Sequence, residues 1–214
     1  MKVLAISDTH NKILVPEDFP ETELLIHCGD MTKFGDEEIP KAVEQIAGLR
    51  AKYKVCTFGN HDRNGMNYKK YFDDAGIILL VDQEVVIEGI RIYGVPWVKC
   101  FHESLFHFHM KNIEEQKAIW DKLPEGLDLL ITHTPMHGFH DAWVKDPLVR
   151  FGCDIFTQKM FSMQEPPKIH CCGHIHEQSV PDPEEWKPGY FTYNVASLTE
   201  NYGWKLKPYR EFEI

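Results

Sequence analysis

Long apolar runs are missing from the chain. The first, Val3 to Ile6, is broken by Ser7 and Asp8, too soon for a signal peptide, and none approaches the roughly 20 residues a membrane helix needs. A cytoplasmic protein with no membrane partner is expected. Basic charge is also scarce: 23 Lys and Arg stand against 33 Asp and Glu, a formal charge of −10, and no Lys/Arg cluster interrupts it. Polyanions gain affinity from many basic contacts, so long nucleic acid is not an expected partner. Regular cysteine spacing is absent too. The six cysteines (Cys28, Cys56, Cys100, Cys153, Cys171, Cys172) lie mostly inside apolar runs, which fits buried thiols and argues against a disulfide framework. Internal repeats, low-complexity tracts and linkers are lacking, apart from a Pro-rich loop near residues 181–188. With 214 residues and 43% hydrophobic content, one domain over residues 1–214 is expected.

What is present is an alternation of short β-type runs with helical stripes. Strands are predicted at Val3–Ile6, Leu24–Cys28, Val55–Phe58, Val85–Ile87, Ile90–Tyr93, Leu127–Ile131, Ile169–Cys172 and Tyr190–Val195. Glu88-Gly89 reads as a tight hairpin turn, so the sheets are expected to be mixed. Helical spacing joins Ile39, Val43, Ile46, Leu49 and Tyr53, and again Tyr68, Tyr71, Phe72 and Ala75 before Gly76. A third helix, with Ile113, Lys117, Trp120 and Leu123, starts after Asn112, with Glu115 three residues on completing a capping box; a fourth is expected from Asp154 through Phe161. The acidic run Asp36 to Glu38 suits a helix start, where it complements the dipole. Strands alternating with helices around a core indicate an α/β class.

Polar residues collect where these strands end. Asp8 and His10 follow the first, Asp30 the second, and Asn60, His61 and Asp62 the third; His133 follows Leu127–Ile131, and His174 and His176 follow Ile169–Cys172. Ligands of parallel sheets bind beyond the carboxyl ends, so these loops should converge. His174 and His176 share a face if the strand continues past Gly173, which would aim two ring nitrogens at one point. Setting His61 and Asp62 aside, the set holds two carboxylates, one carboxamide and four imidazoles. Such oxygen and nitrogen donors suit manganese, iron, zinc, nickel or magnesium, and their number fits two ions sharing a bridging carboxylate. Two-metal sites clamp the attacking and leaving oxygens of an in-line displacement, so phosphoryl chemistry is the natural use. Gly29, Gly59 and Gly173 each precede a candidate ligand, where a tight or positive-φ turn lets the backbone pass close to the ions.

The succession Asp8-x-His10, Gly29-Asp30, Gly59-Asn60-His61-Asp62, Thr132-His133 and Gly173-His174-x-His176 resembles the calcineurin-like metallophosphoesterases, from residue 2 to about residue 198. Within that superfamily, "THTPMHGF", "VRFGCDIF" and "GHIHE" resemble the metallophosphodiesterase-domain (MPPED-type) branch. The protein-phosphatase branch carries Gly-Asp-x-x-Asp-Arg-Gly where this chain has "GDMTKFG"; the missing arginine counts against a phosphoprotein substrate. Some animal members of the MPPED-type branch have glycine at the first His of Gly-His-x-His, whereas His174 is present here.

The resemblance implies a four-layer α/β/β/α sandwich of two mixed sheets with a di-metal centre at one edge. Asp8, His10 and His176 would hold one ion, Asn60, His133 and His174 the other, and Asp30 would bridge. His61 would act near the leaving-group oxygen as acid or charge stabiliser, with Asp62 orienting its ring. The implied reaction is hydrolysis of a small phosphodiester, cyclic nucleotides among the options, by in-line attack of a metal-bridging hydroxide. Manganese is the first choice of metal. The alternatives are a phosphomonoesterase or phosphoprotein phosphatase, and a non-catalytic scaffold, which would normally lack some of these ligands.

Seven of the twelve histidines lie outside the motifs. His27 and His170 fall in strands and are read as hydrogen-bonded core residues. His102, His107 and His109 belong to the run "FHESLFHFHM", which is either a substrate wall or a partly buried loop or surface helix. His137 and His140 are not expected to act directly in catalysis. Cys172, His174 and His176 share strand parity and so offer a rival structural zinc site, which leaves Asp8, Asp30 and Asn60 unexplained.

Overall fold

The computed structural model describes residues 1–100, 107–143, 145–178 and 182–214, with the backbone alone at Pro147. Its strands are β1 (Lys2–Ile6), β2 (Thr22–Cys28), β3 (Ala51–Thr57), β4 (Ile78–Leu79), β5 (Gln83–Ile87), β6 (Ile90–Val95), β7 (Val98–Lys99), β8 (His109–Met110), β9 (Leu129–Thr132), β10 (Ala142–Trp143), β11 (Asp146–Arg150), β12 (Ile169–Cys172), β13 (Glu184–Lys187), β14 (Tyr190–Asn194) and β15 (Arg210–Glu213). The α-helices are α1 (Ile39–Gly48), α2 (Lys69–Asp74), α3 (Ile113–Trp120) and α4 (Asp154–Ser162).

Side-chain alternation along the strands decides the layering. In β1, Leu4 and Ile6 face one way and pack with Ile39, Val43 and Ile46 of α1 and Phe72 of α2. Val3 and Ala5 face the other way and meet Ile92 of β6, Leu129 and Ile131 of β9 and Cys171 of β12. The far side of that second sheet, with Tyr93, Val95 and Leu130, packs on Trp120 of α3 and Phe156 and Met160 of α4. The Trp120 and Phe156 rings stack at 4.1 Å between centroids. The result is a four-layer α/β/β/α sandwich.

The first sheet runs β15-β1-β2-β3-β4 and the second β13-β14-β12-β9-β6-β5. β1 to β4 are mutually parallel, with β15 antiparallel to β1. β14, β12, β9 and β6 are parallel, while β13 and β5 flank them antiparallel. The expected hairpin joins β5 to β6, and Glu88 (φ 50°) and Gly89 (φ 87°) both take positive φ, as a primed two-residue turn requires. The carboxyl ends of the parallel strands gather at one edge. There a bridge between Ser7 and Ala196 and the Ser197 N–H to Ser7 O bond (2.8 Å) tie the two sheets together.

The helices stop earlier than their stripes. α1 ends at Gly48 because Leu49 turns extended (ψ 144°), which places Tyr53 in β3, and Leu123 is buried beyond α3. Half of the capping box forms: the Asn112 side chain accepts from Glu115 N at 2.8 Å, while the Glu115 carboxylate takes Lys111 N at 2.7 Å. The cysteines form no disulfide among the described residues, and no helix of the described residues is long and apolar enough to cross a membrane.

His27 and His170 sit fully buried in the sheets as expected. His27 bonds to Thr9 Oγ1 (3.0 Å) and accepts from Gly29 N (3.2 Å), and His170 lies 2.8 Å from both Thr132 Oγ1 and Thr192 Oγ1. Burial pushes His170 down to about 3 from an ordinary 6.5, so the folded state keeps it neutral where the unfolded chain protonates it. Its contribution is therefore complete above pH 6.5 and fades as the pH falls. Urea unfolding at pH 7.5 and 5.0 should show about 2 kcal/mol less stability at the lower pH from this group. His170→Gln should remove that share of the acid loss; an unchanged acid loss in the variant would contradict this origin.

Candidate metal centre

Two loops carry the carboxylates inward. Asp8 follows β1 and is fully buried, its N–H bonded to Gly29 O at 2.9 Å and its carboxylate receiving His174 N at 3.0 and 3.1 Å. Asp30 follows β2, and its Oδ1 accepts His61 N at 2.8 Å while Oδ2 turns to the imidazoles. Asp8, His10, Asp30 and His174 all take positive φ, between 42° and 69°, a region that costs a side-chain-bearing residue energy and that clusters at functional sites. Of the three ligand-preceding glycines only Gly29 has a positive φ (94°). Gly59 answers to space instead, since a Cβ there would collide with Asp30 Oδ1 and lie 2.8 Å from His133 Cε1.

The histidines share one arrangement. Nδ1 of His10, His61, His133 and His176 lies 2.8 to 3.0 Å from the carbonyl oxygens of Thr32, Lys33, Cys28 and Thr199 respectively. A carbonyl only accepts, so each Nδ1 carries the hydrogen and donates. Each Nε2 is then left to face the site, as metal-ligating imidazoles do. His10 and His176 bring these Nε2 atoms within 3.2 Å of each other. Two lone pairs so close need a proton or a cation between them.

Asp30 Oδ2 is the junction. It lies 3.1 Å from His133 Nε2 and 3.9 Å from Nε2 of both His10 and His61. Three groups of donor atoms fall within 4.8 Å of one another: Asp8, His10 and His176; His10, Asp30 and His61; and Asp30, His133 and His174. Asn60 Oδ1 is buried with no hydrogen-bond partner, and His133 Nε2, equally buried, faces Asp30 Oδ2 at 3.1 Å. Such donors beside two carboxylates fit divalent cations, and no thiolate is needed.

Electrostatics agree with this reading. Burial alone would raise Asp8 and Asp30, yet His176 and His133 hold Asp8, and His133 and His61 hold Asp30, below the ordinary carboxylate range. Burial alone would lower His133, but Asp30 and Asp8 raise it to about 9. His174 keeps an exposed edge but is otherwise enclosed; this enclosure, with the charge of His133, pushes it down to about 3 and leaves the lone pair of one ring nitrogen available. The cleft over these residues has a volume of about 210 Å³ and is walled further by Glu177, Glu200 and Tyr202. A larger cavity of about 620 Å³, at the opposite ends of β1 to β3, holds none of these groups.

The sequence profile described as calcineurin-like phosphoesterase matches residues 1–178. The chain belongs to this family. It is 31% identical over 204 residues to the human metallophosphoesterase domain-containing protein 1, a match covering 82% of this chain and 60% of the relative. A UPF0046 protein of Caenorhabditis elegans is 30% identical over 200 residues, covering 83% of this chain and 69% of that one. The chain thus spans about three-fifths of the human relative's length. Among solved structures, phosphopantetheinyl hydrolase from Mycobacterium tuberculosis superposes with a TM-score of 0.66 at 14% identity, over 99% of this chain and 95% of that one, which speaks to the fold alone. Family membership of the MPPED type agrees with the motif reading.

Of the nine predicted site residues of this phosphoesterase domain, the three donor groups gather seven: Asp8, His10, Asp30, His61, His133, His174 and His176. Two expectations need correction. His174 and His176 do not aim at one point, because the strand ends at Cys172 and His176 opens a 3-10 turn; they enter different donor groups. Cys172 joins neither, its thiol bonding to Tyr193 O at 3.5 Å. Asp62 is not the partner of the His61 ring. That place belongs to the Lys33 carbonyl, and the fully buried Asp62 carboxylate instead accepts Gly59 N, Thr32 N and Thr32 Oγ1 at 2.8 to 2.9 Å, clamping two ligand loops together.

His102 lies outside the described residues, and His107 reaches the centre only by backbone, donating to Asn60 O at 3.0 Å. His109 forms part of β8. His140 is buried against Thr192 O at 3.1 Å, and His137 pairs with Asp154 at 3.0 Å. Neither His137 nor His140 enters a donor group. Tyr202, Glu177 and Glu200 were not singled out by the motifs; the only signal was their place beside or just after matched segments.

Because His133 Nδ1 is committed to Cys28 O, a raised pKa puts the extra proton on Nε2, the atom a metal would take here. Below pH 9 that proton competes with the cation. Manganese affinity should therefore rise between pH 7 and 9, with protons released on binding, as calorimetry in two buffers of different ionisation enthalpy would detect. Affinity independent of pH, with no proton release, would contradict the assignment.

Proposed function

We propose that the chain is a di-metal phosphodiesterase acting on small phosphodiesters, cyclic nucleotides among them, with manganese the first choice for both ions. The observation that carries this reading is Asp30 Oδ2, shared between donor groups that contain His10 on one side and His133 and His174 on the other. Asn60 Oδ1, buried without a partner, supports its place in the second position. When bound, two divalent ions would lower the pKa of water and neutralise charge on phosphoryl oxygens.

The chain's own residues supply positioning and a proton. Four carbonyls lock the rings of His10, His61, His133 and His176, so little reorganisation is left for the reaction. His61 is the most open of the three imidazoles around Asp30, its side chain 17% exposed at the cleft. With Nδ1 held by Lys33 O, its Nε2 is the ring nitrogen that faces the cleft, 3.9 Å from Asp30 Oδ2. From there it can donate to a departing alkoxide. A cleft of about 210 Å³ suits one phosphoester with a short substituent better than a polymer lying along a groove. The formal charge of −10 supports the same reading of partners: a small diester, with neither long nucleic acid nor membrane. A single unit over residues 1–214 acting in the cytoplasm completes the proposal.

The test is hydrolysis of bis(p-nitrophenyl) phosphate and of the monoester by chelator-stripped protein, before and after manganese is restored. Metal-dependent turnover favouring the diester is expected. His61→Ala should keep its bound metal and lose about 10²-fold or more in kcat. A monoester preference would favour a phosphatase, and no turnover with any restored metal would favour a scaffold.

A further inference from the structure

The family match ends at residue 178, yet part of the metal cleft is built beyond it. After β14, the chain forms a hairpin in which Leu198 bridges Trp204, Thr199 N bonds to Gly203 O at 2.8 Å and Tyr202 N to Thr199 O at 2.9 Å. This hairpin is fastened to the centre twice. Thr199 O accepts His176 Nδ1 at 3.0 Å, and Lys205 Nζ donates to His176 O at 2.6 Å and Ala196 O at 2.7 Å.

Its tip presents Tyr202 to the cleft. The ring stands edge-on to His10 and His176, with centroids 5.1 and 5.3 Å away, and the residue is 39% exposed. Tyr202 adopts φ 58°, a conformation unfavourable for a bulky side chain, although Asn201 and Gly203 on either side would accept it at less cost. A turn alone does not require an aromatic there. Glu177 and Glu200 on the same rim disfavour an anionic substituent; Lys33 Nζ stands over the Tyr202 ring, 5.9 Å from its centroid, and the rest of the ring offers a flat surface beside the donor nitrogens.

Building on the phosphodiesterase reading above, we infer that Tyr202 is a specificity-determining residue, the platform on which a neutral aromatic ester substituent stacks while its phosphoryl group sits over Asp30. Aromatic esters are therefore favoured over alkyl esters of equal phosphate charge. The preference resides in binding, not in metal loading.

Calorimetric titration of manganese-loaded protein with phenyl phosphate and with methyl phosphate tests this directly. Wild-type protein should bind the phenyl ester about tenfold more tightly. Tyr202→Leu should lose that factor for phenyl phosphate and leave methyl phosphate affinity and manganese content at wild-type levels. Tyr202→Phe should retain the preference. Equal weakening toward both esters, loss of manganese in Tyr202→Leu, or no preference in the wild type would overturn the inference. Both esters are of the kind that diester hydrolysis releases, so wild-type protein that binds neither would overturn this inference, whereas failure to hydrolyse bis(p-nitrophenyl) phosphate with any restored metal would overturn the phosphodiesterase reading.

Discussion

Asp30 is 2% exposed, with one carboxylate oxygen between three imidazole nitrogens at 3.1 to 3.9 Å. Burying a carboxylate costs several kcal/mol unless positive charge and hydrogen bonds compensate, and Asp8 lies equally deep nearby. The pair raises His133 to about 9 even though burial opposes it. Such a field calls for cations. The carbonyl-locked rings, the orphaned Asn60 oxygen and the facing Nε2 atoms of His10 and His176 are all arranged around that demand.

The fold makes so dense a cluster sustainable. Two sheets with parallel strands end at one edge, and the apolar layers on both faces of each sheet fix where those ends lie. The loops then approach closely enough that Gly59 has no room for a side chain. Asp62 uses its buried carboxylate to hold the Asp30 and Asn60 loops in register through Thr32 and Gly59. Four candidate ligands with positive φ, Asp8, His10, Asp30 and His174, show local strain held in place by this packing.

The longer strands were legible because their apolar residues run continuously between turn signals, and the candidate ligands because each follows such a run. β15, with the sequence Arg-Glu-Phe-Glu, was not legible: it is an edge strand whose only cue is pairing with β1. Tyr53 continued the α1 stripe by spacing, but the extended backbone at Leu49 ends the helix first. The role of Asp62 could not be read from Asn-His-Asp, since adjacency along the chain says nothing about which carbonyl the His61 ring will find. Tyr202 was hidden for a similar reason. Its place at the cleft follows from a hairpin held by Thr199 and Lys205, a tertiary arrangement with no local pattern.

The central claim is that one buried aspartate joins two cation positions. Anomalous diffraction from crystals grown with manganese tests it most directly. The account predicts two anomalous peaks per chain, one bounded by Asp8, His10 and His176, the other by Asn60, His133 and His174, with Asp30 contacting both. A single peak, or two peaks of which only one touches Asp30, would contradict it.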